Sequence, residues 1–267
     1  MTVERTRWRF GAAMDIRFEE TVEEFLDHIT ALGLDHVELK REYLHGHPDP
    51  PSPERVAELR EAYDVTVTYH APFRDWNLAS FNDASRAAAV DQVKSTLDDA
   101  ATAGAGAVVV HGGSVPRRYP AYVREKAYRA ARDSLAACAA HAAEVGVPLC
   151  LENQPVSESK RRSTTSPDDL AGMLEAVGDE ESLGVTLDVG HAKVSGHDWR
   201  TFADRFGDRI EVLHLSDNDG TGDQHRPLAD HAPIRDYVDA PYSVLEMKRV
   251  DDIDRCVESA APDGTTD

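Results

Sequence analysis

Short apolar runs rich in Val, Ile, Leu and Tyr recur along the chain, separated by longer, Ala-rich amphipathic stretches. The runs WRFGAAM, HVEL, VTVTYH, AVVVH, PLCLE, GVTLD, IEVLHL and YSVLE predict eight β-strands. Strands this continuously apolar need cover on both faces, which points to a parallel sheet wrapped by helices. The helical stretches carry their own start signals. Ser52-Pro53-Glu54, Asp83-Ala84-Ser85 and Ser166-Pro167-Asp168 each bring a capping residue, a first-turn proline or an acid to a helix N-terminus. Ala-rich segments from about Arg86 to Ala103 and from Ala121 to Val145 are strong helix formers, and Gly33, Gly104 and Gly146 stand where three helices should stop. Eight strands each followed by helix predict a closed (β/α)8 barrel rather than an open doubly wound sheet. No GxGxxG or GxxxxGKS/T sequence supports the open alternative.

A length of 267 residues suits one such barrel. We expect a single domain over residues 1–260 and a frayed tail over residues 261–267, which lack large apolar side chains. The loop His45-Gly46-His47-Pro48-Asp49-Pro50-Pro51 reads as a β-to-α connection, and His45 and His47 receive no role. Nothing approaches the ~18 uninterrupted apolar residues of a membrane span. MTVERTRWRF has no apolar signal region, and Cys138, Cys150 and Cys256 lack metal-type spacing and cannot all pair. Together these point to a reducing cytoplasm.

Charge alters the picture more. The 49 acidic residues against 29 basic ones give a formal net charge of -20, and only six of the basic residues are lysines. Such a surface suits a salt-rich cytoplasm, where a Debye length of about 3 Å at 1 M screens self-repulsion. It also disfavours nonspecific nucleic-acid binding, although a global sum does not describe one groove.

The predicted strands end alike. Metal-capable side chains stand at or near the C-terminal end of six of them: His70, His111, Glu152, Asp188, His214 and Glu246. The successive gaps are 41, 41, 36, 26 and 32 residues, about one β/α unit each. Parallel barrel strands present these ends to one mouth, so the six side chains converge. Any one alone reads equally as a hydrogen-bonded structural residue. Six in register suit a divalent cation, because buried carboxylates without one would repel each other. His191, Asp223 and His225 belong to loops on the same mouth and could hold further metal or orient a substrate. Glu38 faces the mouth from the second strand as a supporting group. Phe73 and Trp76 could stack on a sugar or pack beneath a loop. Arg117 and Arg118, and Lys160, Arg161 and Arg162, form two basic patches in mouth loops, readable as phosphate binders or as solvated charge. No loop interleaves basic and aromatic residues in the way that grips a bent duplex.

In order and spacing, YHAPF, VVVHGG, CLENQP, TLDVGHA, HLSDNDGTGDQH and SVLE resemble the xylose isomerase-like TIM barrel superfamily. That group includes sugar (phosphate) isomerases and epimerases and endonuclease IV (AP endonuclease family 2). The resemblance spans roughly residues 65 to 246. In its ketose-epimerase branch it implies one divalent ion on Glu152, Asp188, His214 and Glu246. Glu152 and Glu246 would then be the catalytic proton carriers beside the carbonyl of a small sugar or sugar phosphate, and His191 would contact the sugar. In its endonuclease IV branch all nine positions would hold three zinc ions that attack a phosphodiester, with nucleic acid as the partner. The wording DNDGTGDQHRPL resembles the isomerases more, so isomerisation or epimerisation ranks first and phosphodiester hydrolysis second. Where the family usually continues with glycine-rich sequence, LADHAPI stands instead. Carboxylate-rich ligation suits Mn²⁺ or Mg²⁺, and the added histidines tilt towards Zn²⁺, with one to three ions expected. Barrels of this kind often pair through their helical shell, so a homo-oligomer is open.

Overall fold

Side chains along a strand alternate between two faces, so a barrel strand sends every second residue inward and the others toward the helices. The computed structural model describes residues 9–178 and 183–259. Its barrel strands are β1 (Arg9–Met14), β2 (His36–Lys40), β3 (Thr66–His70), β4 (Val108–Val110), β6 (Leu149–Glu152), β8 (Leu183–Asp188), β9 (Ile210–Leu215) and β10 (Tyr242–Leu245). They close in the order β1-β10-β9-β8-β6-β4-β3-β2, each pair parallel. All eight predicted strands are present. Two three-residue strands were not foreseen: β5 (Ser114–Pro116) and β7 (Lys160–Arg162) pair antiparallel as a ribbon on the mouth. The expected tail over residues 261–267 lies outside the described residues.

Helices follow the strands. The first seven are α1 (Val22–Ala31), α2 (Arg41–Gly46), α3 (Pro53–Ala62), α4 (Asp83–Ala103), α5 (Ala121–Val145), α6 (Pro167–Val177) and α7 (Val189–Val194). Ser52 and Ser166 cap α3 and α6 through backbone N–H groups three residues on. For α4 the cap is Asn82, one residue before the expected start, because its amide oxygen accepts from the Ser85 N–H at 3.1 Å. Gly104 and Gly146 end α4 and α5 in the left-handed conformation that glycine adopts without strain. Helix α2 takes up His45 and Gly46, which the sequence assigns to a loop. Among the described residues no helix is long and apolar enough to cross a membrane.

Two apolar cores result. Large side chains such as Phe25, Leu97, Leu135 and Phe202 fill the layer between strands and helices. Inside the barrel a smaller set packs separately: Ala13, Ala107, Val109, Cys150, Val212 and Val244. At β1 the chains approach so closely that a Cβ on Gly11 would lie 1.6 Å from the His36 carbonyl oxygen. An irregularity in the β8–β9 pairing between Val185 and Thr186 brings Asp188 opposite His214. The inward residues at the strand ends therefore include the six metal-capable groups, above the small apolar plug.

Candidate metal centre

Nine side chains gather in three groups: His70 with His111 and Glu152; Glu152 with Asp188, His214 and Glu246; and His191 with Asp223 and His225. Within each group one donor atom per residue lies within 4.8 Å of the others. Glu152 belongs to two groups and stands at the centre. Its carboxylate oxygens are 2.6 Å from His111 Nε2, 3.4 Å from His70 Nε2, 3.2 Å from His191 Nδ1 and 3.4 Å from His214 Nδ1.

Local structure aims each group. Asp188 caps α7 with Oδ1, which accepts from the His191 N–H at 2.7 Å. The cap explains the three-residue spacing of Asp188 and His191, and it leaves Asp188 Oδ2 without a hydrogen-bond partner. Asn153 ties β6 to β8 by accepting from Asp188 N and donating to Asp188 O. Four histidines have one ring nitrogen occupied. His70 Nδ1 meets Ala71 O at 2.8 Å, His191 Nδ1 meets Asn153 O at 2.9 Å, and His225 Nδ1 meets Glu246 O at 2.8 Å. His214 Nε2 meets Glu38 Oε2 at 3.1 Å. Such outer partners fix the tautomer and turn the other nitrogen to the cluster. His225 holds this pose from a left-handed backbone (φ 52°), unusual for a residue other than glycine.

The electrostatics suit a cation. Asp188 and His214 are 0% exposed, and His214 Nδ1 and Asp223 Oδ1 join Asp188 Oδ2 in lacking hydrogen-bond partners. Burial raises the Asp188 carboxyl to about 7, with Glu246 and Glu152 adding to the rise against the opposing charge of His191. Buried polar atoms left unsatisfied cost about 1–3 kcal/mol each, more when charged. Divalent ions with oxygen and nitrogen ligands, one in the group of Asp188 and His214 and one in the group of Asp223, would satisfy these atoms. The donor set therefore fits a metal.

Seven of the nine, all but the fully buried Asp188 and His214, line a cavity of about 420 Å³ at the barrel mouth. Its rim carries Arg17, Lys40, Arg74, Lys160, Arg162 and Lys248. Lys40 is nearly buried and places Nζ 2.6 Å from Glu246 Oε1. Burial opposes its charge, but Glu246 and Glu38 hold its pKa above the ordinary value, so it stays protonated. Lys248 donates to Asp223 O at 2.8 Å. Sequence reasoning passed over Lys40, Lys248 and Arg17, since a basic residue near a strand end reads as solvated. The ribbon splits the expected basic patches. Lys160 and Arg162 line the cavity; Arg117, Arg118 and Arg161 do not. Arg117 instead donates through Nε to Ser157 O at 2.6 Å, and Arg161 faces Asp169 at 3.5 Å. Phe73 packs its ring 4.4 Å from that of His111, and Trp76 lines the cavity wall. His47 stacks on Tyr43 and does not line the cavity.

Residues 26–262 match the sequence profile described as xylose isomerase-like TIM barrel. The chain belongs to that family. Within the xylose isomerase-like barrels it is similar to the "Probable endonuclease 4" of Mycobacterium marinum, at 31% identity over 185 residues, covering 67% of this chain and 69% of that one. Among solved structures it resembles a D-tagatose 3-epimerase-like protein, with 25% identity, a TM-score of 0.78 and 94% of both chains covered. It also resembles the TTHB071 protein of Thermus thermophilus, in crystals soaked with ZnCl2. There the identity is 28% and the TM-score 0.70, with 97% of this chain and all (100%) of that one covered. Its family neighbours are therefore sugar epimerases and endonuclease 4 homologues, and the clustered ligands support a divalent metal.

Proposed function

We propose that this chain is a divalent-metal-dependent phosphodiesterase with a multinuclear centre, which reverses the order in which the sequence ranks its two readings. The observation that carries the proposal is the sharing of Glu152 between two ligand groups, with a third group beside them. An epimerase centre of one metal uses only Glu152, Asp188, His214 and Glu246. It gives His191 only a contact with the sugar and leaves His70, His111, Asp223 and His225 without a role, although all five line the same cavity.

In this reading His70, His111 and Glu152 would hold one ion, Glu152, Asp188, His214 and Glu246 a second, and His191, Asp223 and His225 a third. Divalent cations there would supply charge against the phosphate oxygens and lower the pKa of an attacking water. The chain's own groups do the rest. Arg74, Lys160 and Arg162 stand around the cavity without a carboxylate partner among the described residues, and Arg162 is half-buried. In a chain of net charge -20 such cations favour an anionic substrate. Lys40 keeps Glu246 ionised, and Glu38 holds His214 in the tautomer that presents Nδ1. Phe73 packs against the imidazoles of His70 and His111.

Metal-dependent isomerisation or epimerisation of a sugar or sugar phosphate is the second reading, favoured by the likeness to the D-tagatose 3-epimerase-like structure. Glu152 and Glu246 would then exchange a substrate proton. The test counts metals on protein purified without chelator and measures hydrolysis of bis(p-nitrophenyl) phosphate beside conversion of a ketose panel. Two or three ions per chain with phosphodiester turnover is the expected result. One ion, no hydrolysis and ketose conversion lost in Glu246→Gln would overturn it in favour of the epimerase.

A further inference from the structure

One stretch of the surface has the opposite sign to the molecule. Residues 117–132 contain Arg117, Arg118, Arg124, Lys126, Arg129 and Arg132 against the single acid Glu125, a local charge of +5 (6 − 1) within a chain of -20. Among the described residues only Arg132 of these six pairs with a carboxylate, Asp133 at 2.6 Å. Elsewhere on this molecule acids are plentiful enough to neutralise most exposed cations. Here the cations stand beside the ribbon, one strand of which, Lys160–Arg162, is wholly basic.

Aromatic rings stand among them. Phe81 precedes α4 and Tyr119 precedes α5, yet the fold brings their rings to 6.2 Å. Arg118 lies 5.3 Å from the Tyr119 ring centre and Lys126 6.0 Å from that of Phe81. Tyr122 is 75% exposed, an unusual state for a large ring, and Phe81 is 39% exposed. Tyr122, Lys126 and Arg129 are four and three residues apart, so they share one stripe on the first turns of α5. Because α5 follows a barrel strand, those turns lie at the mouth. The patch continues into the cavity: Asn77 donates to Ser114 O at 2.8 Å and so joins the Phe81 loop to the ribbon. Lys160 and Arg162 of the ribbon line the cavity together with Arg74 and Trp76. The run RRYPAYVREKAYR over residues 117–129 already interleaves basic and aromatic residues, and the fold adds Phe81 from 38 residues before Tyr119.

We propose that this face, from Tyr122 and Lys126 on α5 across Phe81, Tyr119 and the ribbon to the cavity, is a docking surface for single-stranded nucleic acid. It rests on the phosphodiesterase reading for the direction in which the strand runs, toward the ligand cluster. The chemistry is that of a sequence-tolerant single-strand site. Cations follow the backbone phosphates, and exposed rings offer faces on which unpaired bases stack, each worth about 1–3 kcal/mol. Stacking needs splayed bases, which a duplex does not present, so the aromatic half of the patch selects single strands. The acidic remainder of the molecule repels a polyanion and confines it to this track.

The test is equilibrium binding of a fluorescent oligothymidylate of about twelve nucleotides, within the usual site size. It uses the full metal-loaded chain at a salt concentration where circular dichroism shows it folded. Lys126→Glu with Arg129→Glu should weaken binding by about tenfold or more and flatten its salt dependence. Tyr122→Ala should weaken it severalfold with the salt slope kept. Neither variant touches the ligand cluster, so bis(p-nitrophenyl) phosphate turnover stays at the wild-type rate. Unchanged oligonucleotide affinity in both variants, no measurable binding by the wild type, or tighter binding of the matching duplex would overturn the proposal. Absence of bis(p-nitrophenyl) phosphate turnover, with oligonucleotide binding lost in the variants, would sink the phosphodiesterase reading and leave the surface standing.

Discussion

The interior of this barrel holds two layers of opposite chemistry, one directly above the other. Val109, Cys150, Val212 and Val244 make a dry apolar plug, all 0% exposed. Two residues further along the chain from each stand His111, Glu152, His214 and Glu246, the last three almost as deeply buried and His111 partly exposed, but ionisable and partly unsatisfied. Backbone, twist and strand period are the same in both, so the fold does not distinguish them. The lower layer repays burial through packing. The upper layer tolerates it only if something else compensates the charges, and it places that cost where the cavity opens.

The comparison breaks most visibly if a carboxylate is moved down by one layer. Val109→Asp would bury a charge with no ligand or partner, a cost of several kcal/mol against a total stability of about 5–15 kcal/mol. Circular dichroism should show an unfolded or aggregated product. Asp188→Asn, two residues above Thr186 and equally buried, should instead fold with its helix content intact and lose bound metal by elemental analysis. Equal damage from both would mean that the two layers do not differ in kind.

Next in size is Glu152→Gln, which keeps the shape and removes the shared charge. Ligand sharing predicts the loss of at least two of the expected ions and a fall in turnover of about a thousandfold. A loss confined to one ion would show that the groups around His70 and around Asp188 are independent.

The smallest effect sharpens the comparison from below. Beneath the plug, His36 bonds Thr66 through Nδ1 at 2.9 Å and Thr68 through Nε2 at 3.1 Å. Thr68 in turn donates to Glu38 at 3.3 Å, the residue that supports His214. Burial holds the His36 imidazole down to about 4 from 6.5, against the opposing charge of Glu38. As pH falls the unfolded chain takes up this proton first. The contribution is whole above pH ~6.5 and is lost between about 6.5 and 4, at most ~3 kcal/mol. In His36→Gln, urea titrations from pH 7 to 4.5 should show a shallower fall in stability than the wild type. Parallel curves would remove His36 from the account.

What the sequence disclosed followed from periodicity. The strand-end groups were readable because each closes an apolar run at a position of the same inward parity, and the nine residues gather in three groups. Glu38 was legible for the same reason. Lys40 was not, although it sits on an equivalent inward position, because a lysine at a strand end usually reaches for water; only the fold shows Glu246 waiting 2.6 Å away. The ribbon strands were hidden by being three residues long and built from Pro, Ser and basic residues. The aromatic and basic face was legible only in part: Arg118, Tyr119, Tyr122, Lys126 and Arg129 share one run that was passed over, while no local pattern relates them to Phe81 or to Lys160–Arg162.

The ribbon carries a consequence for how such a protein can change over generations. Its two strands come from different β/α units, and pairing in the register Ser114 with Arg162, Val115 with Arg161 and Pro116 with Lys160 fuses two loops into one wall. Because neighbouring side chains on a strand point to opposite sides, gaining or losing a single residue just before Lys160 would exchange the inner and outer sets of that strand. Arg161 would enter the cavity, while Lys160 and Arg162 would leave it. Substrate preference at this wall can thus shift in one step by a small insertion or deletion, whereas point substitutions alter it only gradually.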